Sequence, residues 1–208
     1  MAILIWGGAL LAYAAFRLWY DGFRKPLSPQ EIDEFVEIVQ SRAGNEVSQD
    51  DIAVVRRFLE GDDGKEFIMV NLLELNSSPV EHPETGEPVR ADAMLSQYFK
   101  PFMGEIIRRA GHPVLTSRAV GGYLDAWNTP ADPGWHLAGL MRYRSRRDCI
   151  LSSLANPRFS ELHKFKVAAL RQTFAFPSQT LVTFYASPRW SVAILLALAA
   201  AMLQLTLN

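Results

Sequence analysis

The sequence predicts an α+β domain of order β-α-β-β-α-β, preceded by a helical hairpin and flanked by two membrane-spanning helices. Three observations lead there. Both ends of the chain are apolar runs nearly free of charge. Between them, stretches with apolar residues at period 2 alternate with stretches at period 3.6. Proline, glycine and Ser-x-x-Glu/Asp signals separate each stretch from the next.

Composition limits what the chain can be. Of 208 residues, 49% are hydrophobic and 21% charged, and the formal net charge is −1. These values exclude a disordered tail, a collagen-like fibre and a globally basic nucleic-acid binder, so no nucleic-acid partner is expected. The single cysteine, Cys149, excludes a disulfide framework and a multi-cysteine zinc site. His82, His112, His136 and His163 show no HxxxH or HxH spacing, and neither a metal nor another cofactor is expected. The charge is unevenly spread, −11 over residues 26–92 and +8 over residues 93–189. Such a split can dock one half of a domain on the other or on a partner, or simply be solvated.

Residues 1–22 read as the first membrane helix. The run carries no charge before Arg17, places Trp19 and Tyr20 near its end, and is followed by Arg24 and Lys25. A span needs about 20 apolar residues, with aromatic residues at the interface and basic residues on the cytoplasmic side. A cleaved signal would carry its basic residues before the run, so this one reads as an uncleaved anchor. Residues 189–208 read as the second span, uncharged from Trp190 onward and entered at Arg189. Both spans keep their basic residues on the side of the middle segment, which is therefore expected to face the cytoplasm. Gly8 with Ala12, and Ala193, Ala197 and Ala201, recur every four residues. That spacing is either a close helix-helix contact in lipid or the ordinary use of alanine in helices.

Residues 26–64 read as a helical hairpin. Ser28-Pro29-Gln30-Glu31 is a capping box with proline at the first helical position, and Ile32, Phe35, Val36 and Val39 follow at helical spacing. Ala43-Gly44-Asn45 breaks the pattern, Ser48 caps a second helix, and the GDDG at 61–64 ends it.

Residues 65–186 read as the α+β domain. A strand is expected at 66–75, a polar loop through Pro79, Pro83, Gly86 and Pro88, and a helix over 91–110 carrying Met94, Leu95, Tyr98, Phe99, Phe102, Ile106 and Ile107. A strand at 112–127 with a bulge or turn at Gly121-Gly122, the NTPADPG turn and a strand at 135–144 follow. Ser145-x-x-Asp148 caps a helix that Asn156-Pro157 interrupts and that resumes to about Gln172; a last strand covers 173–185. This order is the split βαβ, or ferredoxin-like, motif.

The pieces MVNLLEL (69–75), RRAGHPVL (108–115) and RYRSRRDCILSSLANPRFSELHKFKVAALR (142–171) carry a resemblance. They look like the dimeric α/β-barrel superfamily, and within it the family called domain of unknown function 1330. That family pairs a V-N-L-L strand with a late strand running into a serine-led helix and an Asn-Pro break. The resemblance covers roughly residues 66–180 and leaves out both spans and the hairpin. It implies that two copies pack their four-stranded sheets face to face, making a homodimer. Relatives include cofactor-independent monooxygenases, lactone isomerases and haem enzymes, and a shared fold does not choose among them. Haem-binding relatives use a helix-borne histidine; His163 is so placed, without the supporting motif.

Asn71 alternates with Phe67, Met69, Leu73 and Leu75 on one strand face, where an amide is either a structural hydrogen bonder or a ligand contact in a pocket. His136 and Arg142 share a strand face with Ala138 and Leu140 between them. They are candidates for a general base and for a group holding an enolate or carboxylate, or they are ordinary polar contacts. Tyr98, Trp127 and Trp135 could frame an aromatic pocket mouth or belong to the core. The run Arg142, Arg144, Arg146 and Arg147 suggests weak contact with anionic lipid. Taken together, the expectation is a membrane-anchored domain that binds or assembles with another membrane protein or a hydrophobic small molecule. The alternative is a cofactor-independent monooxygenase or isomerase acting on a lipophilic substrate.

Overall fold

The computed structural model describes residues 1–43 and 48–207, which fall into two compact units. The first unit joins residues 1–23 to residues 180–208. In it, α1 (Ala2–Asp21) lies antiparallel to the last helix, α7 (Pro188–Leu207), and both are long and apolar enough to cross a membrane. Their pairing is tied at both ends: Trp6 Nε1 donates to Gln204 Oε1 at 2.8 Å, and Arg189 pairs with Asp21 at 2.6 Å. Buried Ala200 lies on the facing side of α7, whereas Gly8, Ala12 and Ala197 are exposed. Ala193 and Ala201 of the four-residue spacing are half-buried.

The second unit, residues 24–179, contains both the hairpin and the sheet. Its hairpin is α2 (Pro29–Ala43) and α3 (Gln49–Glu60). Both expected caps form: Ser28 N–H donates to Glu31 Oε2 at 2.9 Å, and Ser48 and Asp51 make a complete capping box. The break read at Gly44-Asn45 lies outside the described residues. Leu27, Ile32, Val36, Val39, Ile52 and Leu59 cluster with Ile150, so the hairpin packs on the later helical part of the domain.

The remaining elements are β1 (Phe67–Leu75), β2 (Val80–Glu81), β3 (Pro88–Val89), α4 (Ala91–Arg108), β4 (His112–Arg118), β5 (Leu137–Tyr143), α5 (Arg146–Ser152), α6 (Pro157–Ala169) and β6 (Leu170–Ser178). The main sheet has the order β4-β5-β1-β6, and every neighbouring pair is antiparallel. One sheet face, carrying Phe67, Met69, Leu73, Leu75, Leu137, Met141 and Tyr143, packs on Met94, Leu95, Tyr98, Phe102 and Ile106 of α4 and Phe165 and Ala169 of α6. Ile107, expected on that stripe, is half exposed.

Element boundaries differ from expectation for reasons of pairing. The polar loop after β1 contains the small β2–β3 ribbon, whose two-residue strands are too short to show a period. β4 stops at Arg118 because Arg118 faces Leu137, the first residue of β5. Residues 119–136 are irregular rather than a continuation of the strand. α6 ends at Ala169, before the expected Gln172, because Leu170 and Gln172 already pair with Leu75 and Glu74 of β1. β6 ends at Ser178, opposite Ile68, one residue from the start of β1.

The two halves of the charge distribution meet inside this unit. Arg142–Glu66 (2.6 Å), Arg147–Glu31 (2.8 Å), Lys164–Glu84 (2.6 Å), Arg171–Glu74 (3.1 Å) and Arg146–Asp62 (3.9 Å) each join a basic residue of the second half to an acidic residue of the first. The Ser28 backbone N–H, with help from Arg147, lowers the Glu31 carboxyl from its ordinary 4.5 to about 2. A carboxylate depressed by folding contributes stability above its unfolded value and loses it as pH falls through the folded one. We therefore expect urea midpoints to fall between about pH 4.5 and pH 2. Glu31→Gln should flatten that slope and cost less than about 1 kcal/mol at pH 7, since the group is partly exposed.

Candidate functional site

A cavity of about 370 Å³ lies between α4 and the helix-facing side of β1, β4 and β5, with Lys166 of α6 in its wall. Small-molecule sites are commonly roughly 300–1,000 Å³, mainly apolar, with a few polar groups. Leu73, Leu95, Phe99, Phe102, Met103 and Met141 provide the apolar wall; Asn71, Ser96, Tyr98, Thr116, Tyr143, Asp92 and Lys166 are the polar and charged residues.

The sheet register explains how the space arises. Asn71 faces Gly139 across the β1–β5 ladder, and its amide donates to Gly139 O at 3.3 Å and Met69 O at 3.0 Å. A Cβ added at Gly139 would meet nothing within 4 Å, so the glycine leaves volume open beside the amide. Tyr98 stands on α4 one turn from Phe102, with the two rings stacked at 5.1 Å.

Burial moves the titrations at and near this wall. It raises the Tyr98 and Tyr143 hydroxyls above the ordinary 10.0 and lowers the Lys166 amine below 10.5. Behind them, burial pushes the Cys149 thiol up to about 12, so Cys149 is a core residue rather than a nucleophile at neutral pH.

The structure brings Asn71 and Tyr98 together in the cavity and leaves the other candidates outside it. Arg142 is 3% exposed; it donates to Glu66 Oε2 at 2.6 and 2.8 Å and to Ala110 O at 2.5 Å. His136 lies just before β5 and clasps the end of β1. Its N–H donates to Leu73 O at 2.9 Å, and its Nδ1 accepts from Leu75 N–H at 3.3 Å. Six residues of extended chain separate His136 from Arg142 by roughly 20 Å, too far to share a small substrate. Trp135 donates to the Tyr123 hydroxyl at 3.0 Å and packs edge-on against Phe174, while Trp127 is 83% exposed in the 119–136 loop. His163 stacks on Phe159 with ring centres 5.4 Å apart. Arg144 is paired with Asp148 at 2.8 Å, so the four-arginine run is engaged with carboxylates and presents no basic stripe for lipid.

Lys166 is a wall residue not among the candidates read from the sequence. Its signal was position: Phe159, Leu162, Lys166 and Ala169 recur at i, i+3, i+7 and i+10, the apolar stripe of α6.

No protein-family model matches the chain, and no curated protein matches it. Among solved structures, it is similar to a protein of unknown function from Rhodopseudomonas palustris, with 18% identity and a TM-score of 0.53 over 66% of this chain and 96% of that one. The methylated form of that protein gives 18% identity and a TM-score of 0.54 over 67% and 96%. The likeness shows a shared fold over two thirds of the chain.

Arg142 serves the fold here. Arg142→Ala leaves the Ala110 carbonyl and Glu66 without their donor, and should cost about 2 kcal/mol in a chemical denaturation curve. Glu66 is half exposed, which keeps the loss below that of a fully buried pair.

Proposed function

We propose that this is a membrane-anchored protein whose domain, facing the cytoplasm, binds a hydrophobic small molecule in the cavity beside Asn71. The carrying observation is the cavity itself, apolar on most of its wall and kept open by Gly139. His136 and Arg142 lie outside it, which favours binding over acid-base turnover of a lipophilic substrate. The two apolar helices supply the anchor, and Arg24, Lys25 and Arg189 beside them favour the cytoplasmic orientation.

The strand order β4-β5-β1-β6 with antiparallel neighbours supports a ferredoxin-like, split βαβ domain. Its second sheet face supports a homodimer. Ile68, Val70, Leu72, Leu115, Leu140, Phe174 and Phe176 alternate onto that face, and none belongs to either apolar cluster of the domain. Phe174 and Phe176 are 46% and 48% exposed and stack on each other at 6.3 Å. A second copy presenting the same face would bury this surface in an isologous contact.

Native mass spectrometry of the full-length protein tests both parts. A small molecule should co-purify with the wild type and be lost from Gly139→Leu, whose side chain fills the cavity with little change in melting temperature. Retention of the molecule by that variant would exclude the cavity. Phe174→Glu with Phe176→Glu should convert dimer to monomer, and a wild-type protein that is monomeric at high concentration would exclude the face-to-face pairing.

A further inference from the structure

The cavity wall holds two charged residues, and they are in different states. Asp92 is exposed at the rim, and Arg90 takes both its oxygens, at 2.7 and 3.0 Å. Lys166 is partly buried and, among the described residues, makes neither an ion pair nor a hydrogen bond. Its ammonium lies 5.8 Å from the centre of the Tyr98 ring. The face of an aromatic ring stabilises a cation without neutralising it, so the desolvation of the ammonium is only partly offset.

Two neutral donors and a largely apolar surface share this wall. Tyr98 and Tyr143 stand in the same wall, and their hydroxyls make no hydrogen bond among the described residues. The rest of that wall is chiefly leucine, phenylalanine and methionine. An anion seated at Lys166 gains a charge-assisted hydrogen bond in a low-dielectric site, roughly twice as strong as a neutral one. It also supplies the counter-charge that the protein withholds. An uncharged apolar ligand would leave the ammonium as it is. A cationic ligand would meet it as a like charge.

We propose that the cavity selects an amphiphile with an apolar body and a carboxylate head, and that Lys166 holds that carboxylate. The inference rests on the cavity being a small-molecule site and names the ligand class it takes. The lowered proton affinity of the Lys166 amine agrees with a cation short of partners, and a bound carboxylate raises it again.

The test is native mass spectrometry of the full-length protein with decanoate and with decanol, which share a chain and differ in the head. Wild type should hold decanoate about ten-fold more tightly than decanol. Lys166→Met should erase that preference while keeping decanol binding, and Lys166→Arg should restore it. Equal binding of the two probes by wild type, or a preference that survives Lys166→Met, overturns the role of Lys166 while leaving the cavity reading intact. Binding of neither probe by wild type overturns both.

Discussion

Everything in the 24–179 unit is positioned by β1. It is hydrogen-bonded on both edges, to β5 and to β6, and those two ladders bring the late part of the chain to the early part. Its alternation then sorts the side chains: Phe67, Met69, Asn71, Leu73 and Leu75 go to the helices, and Ile68, Val70 and Leu72 to the other face. A slip of one residue in this register would exchange the two sets. It would remove Asn71 from Gly139 and close the space that the pair creates.

Charge completes what the sheet begins. The acidic first half and basic second half are not two independent surfaces. Glu31, Asp62 and Glu66 receive Arg147, Arg146 and Arg142, and Phe58 lies under the Arg146 guanidinium at 5.0 Å. Of these, Arg147–Glu31 is partly exposed on both sides and contributes little energy, whereas the Arg142 and Asp62 side chains are buried members of theirs. Their value is positional, since planar guanidinium groups specify how the hairpin meets α5. The same engagement pairs each arginine of the 142–147 run with a carboxylate. Lys166 differs because α6 directs it to the apolar interior, where no described acidic residue pairs with it.

Much of this could be read without coordinates. The two long apolar helices, both serine caps, the order of strands and helices, and the alternation that places Asn71 are local properties of a few neighbouring residues. Element ends are not legible in the sequence, because β4 stops opposite the first residue of β5 and α6 stops where β6 begins to pair with β1. Nor could spacing alone tell His136 from a base or Arg142 from an anion holder. Their actual partners, the Leu75 backbone and Glu66, are 61 and 76 residues away. The pairing of the two apolar helices is also tertiary: Asp21 and Arg189 are 168 residues apart.

The amino-acid sequence by itself therefore determined the classes of element, their order and the two long apolar helices, because periodicity, capping and hydropathy act over a few residues. The tertiary structure decided which polar groups are consumed by the fold and which are left at a cavity. That outcome depends on charges and carbonyls brought together from distant parts of the chain, and it is why Lys166, rather than His136 or Arg142, is the charged group at the cavity wall without an ion-pair partner among the described residues.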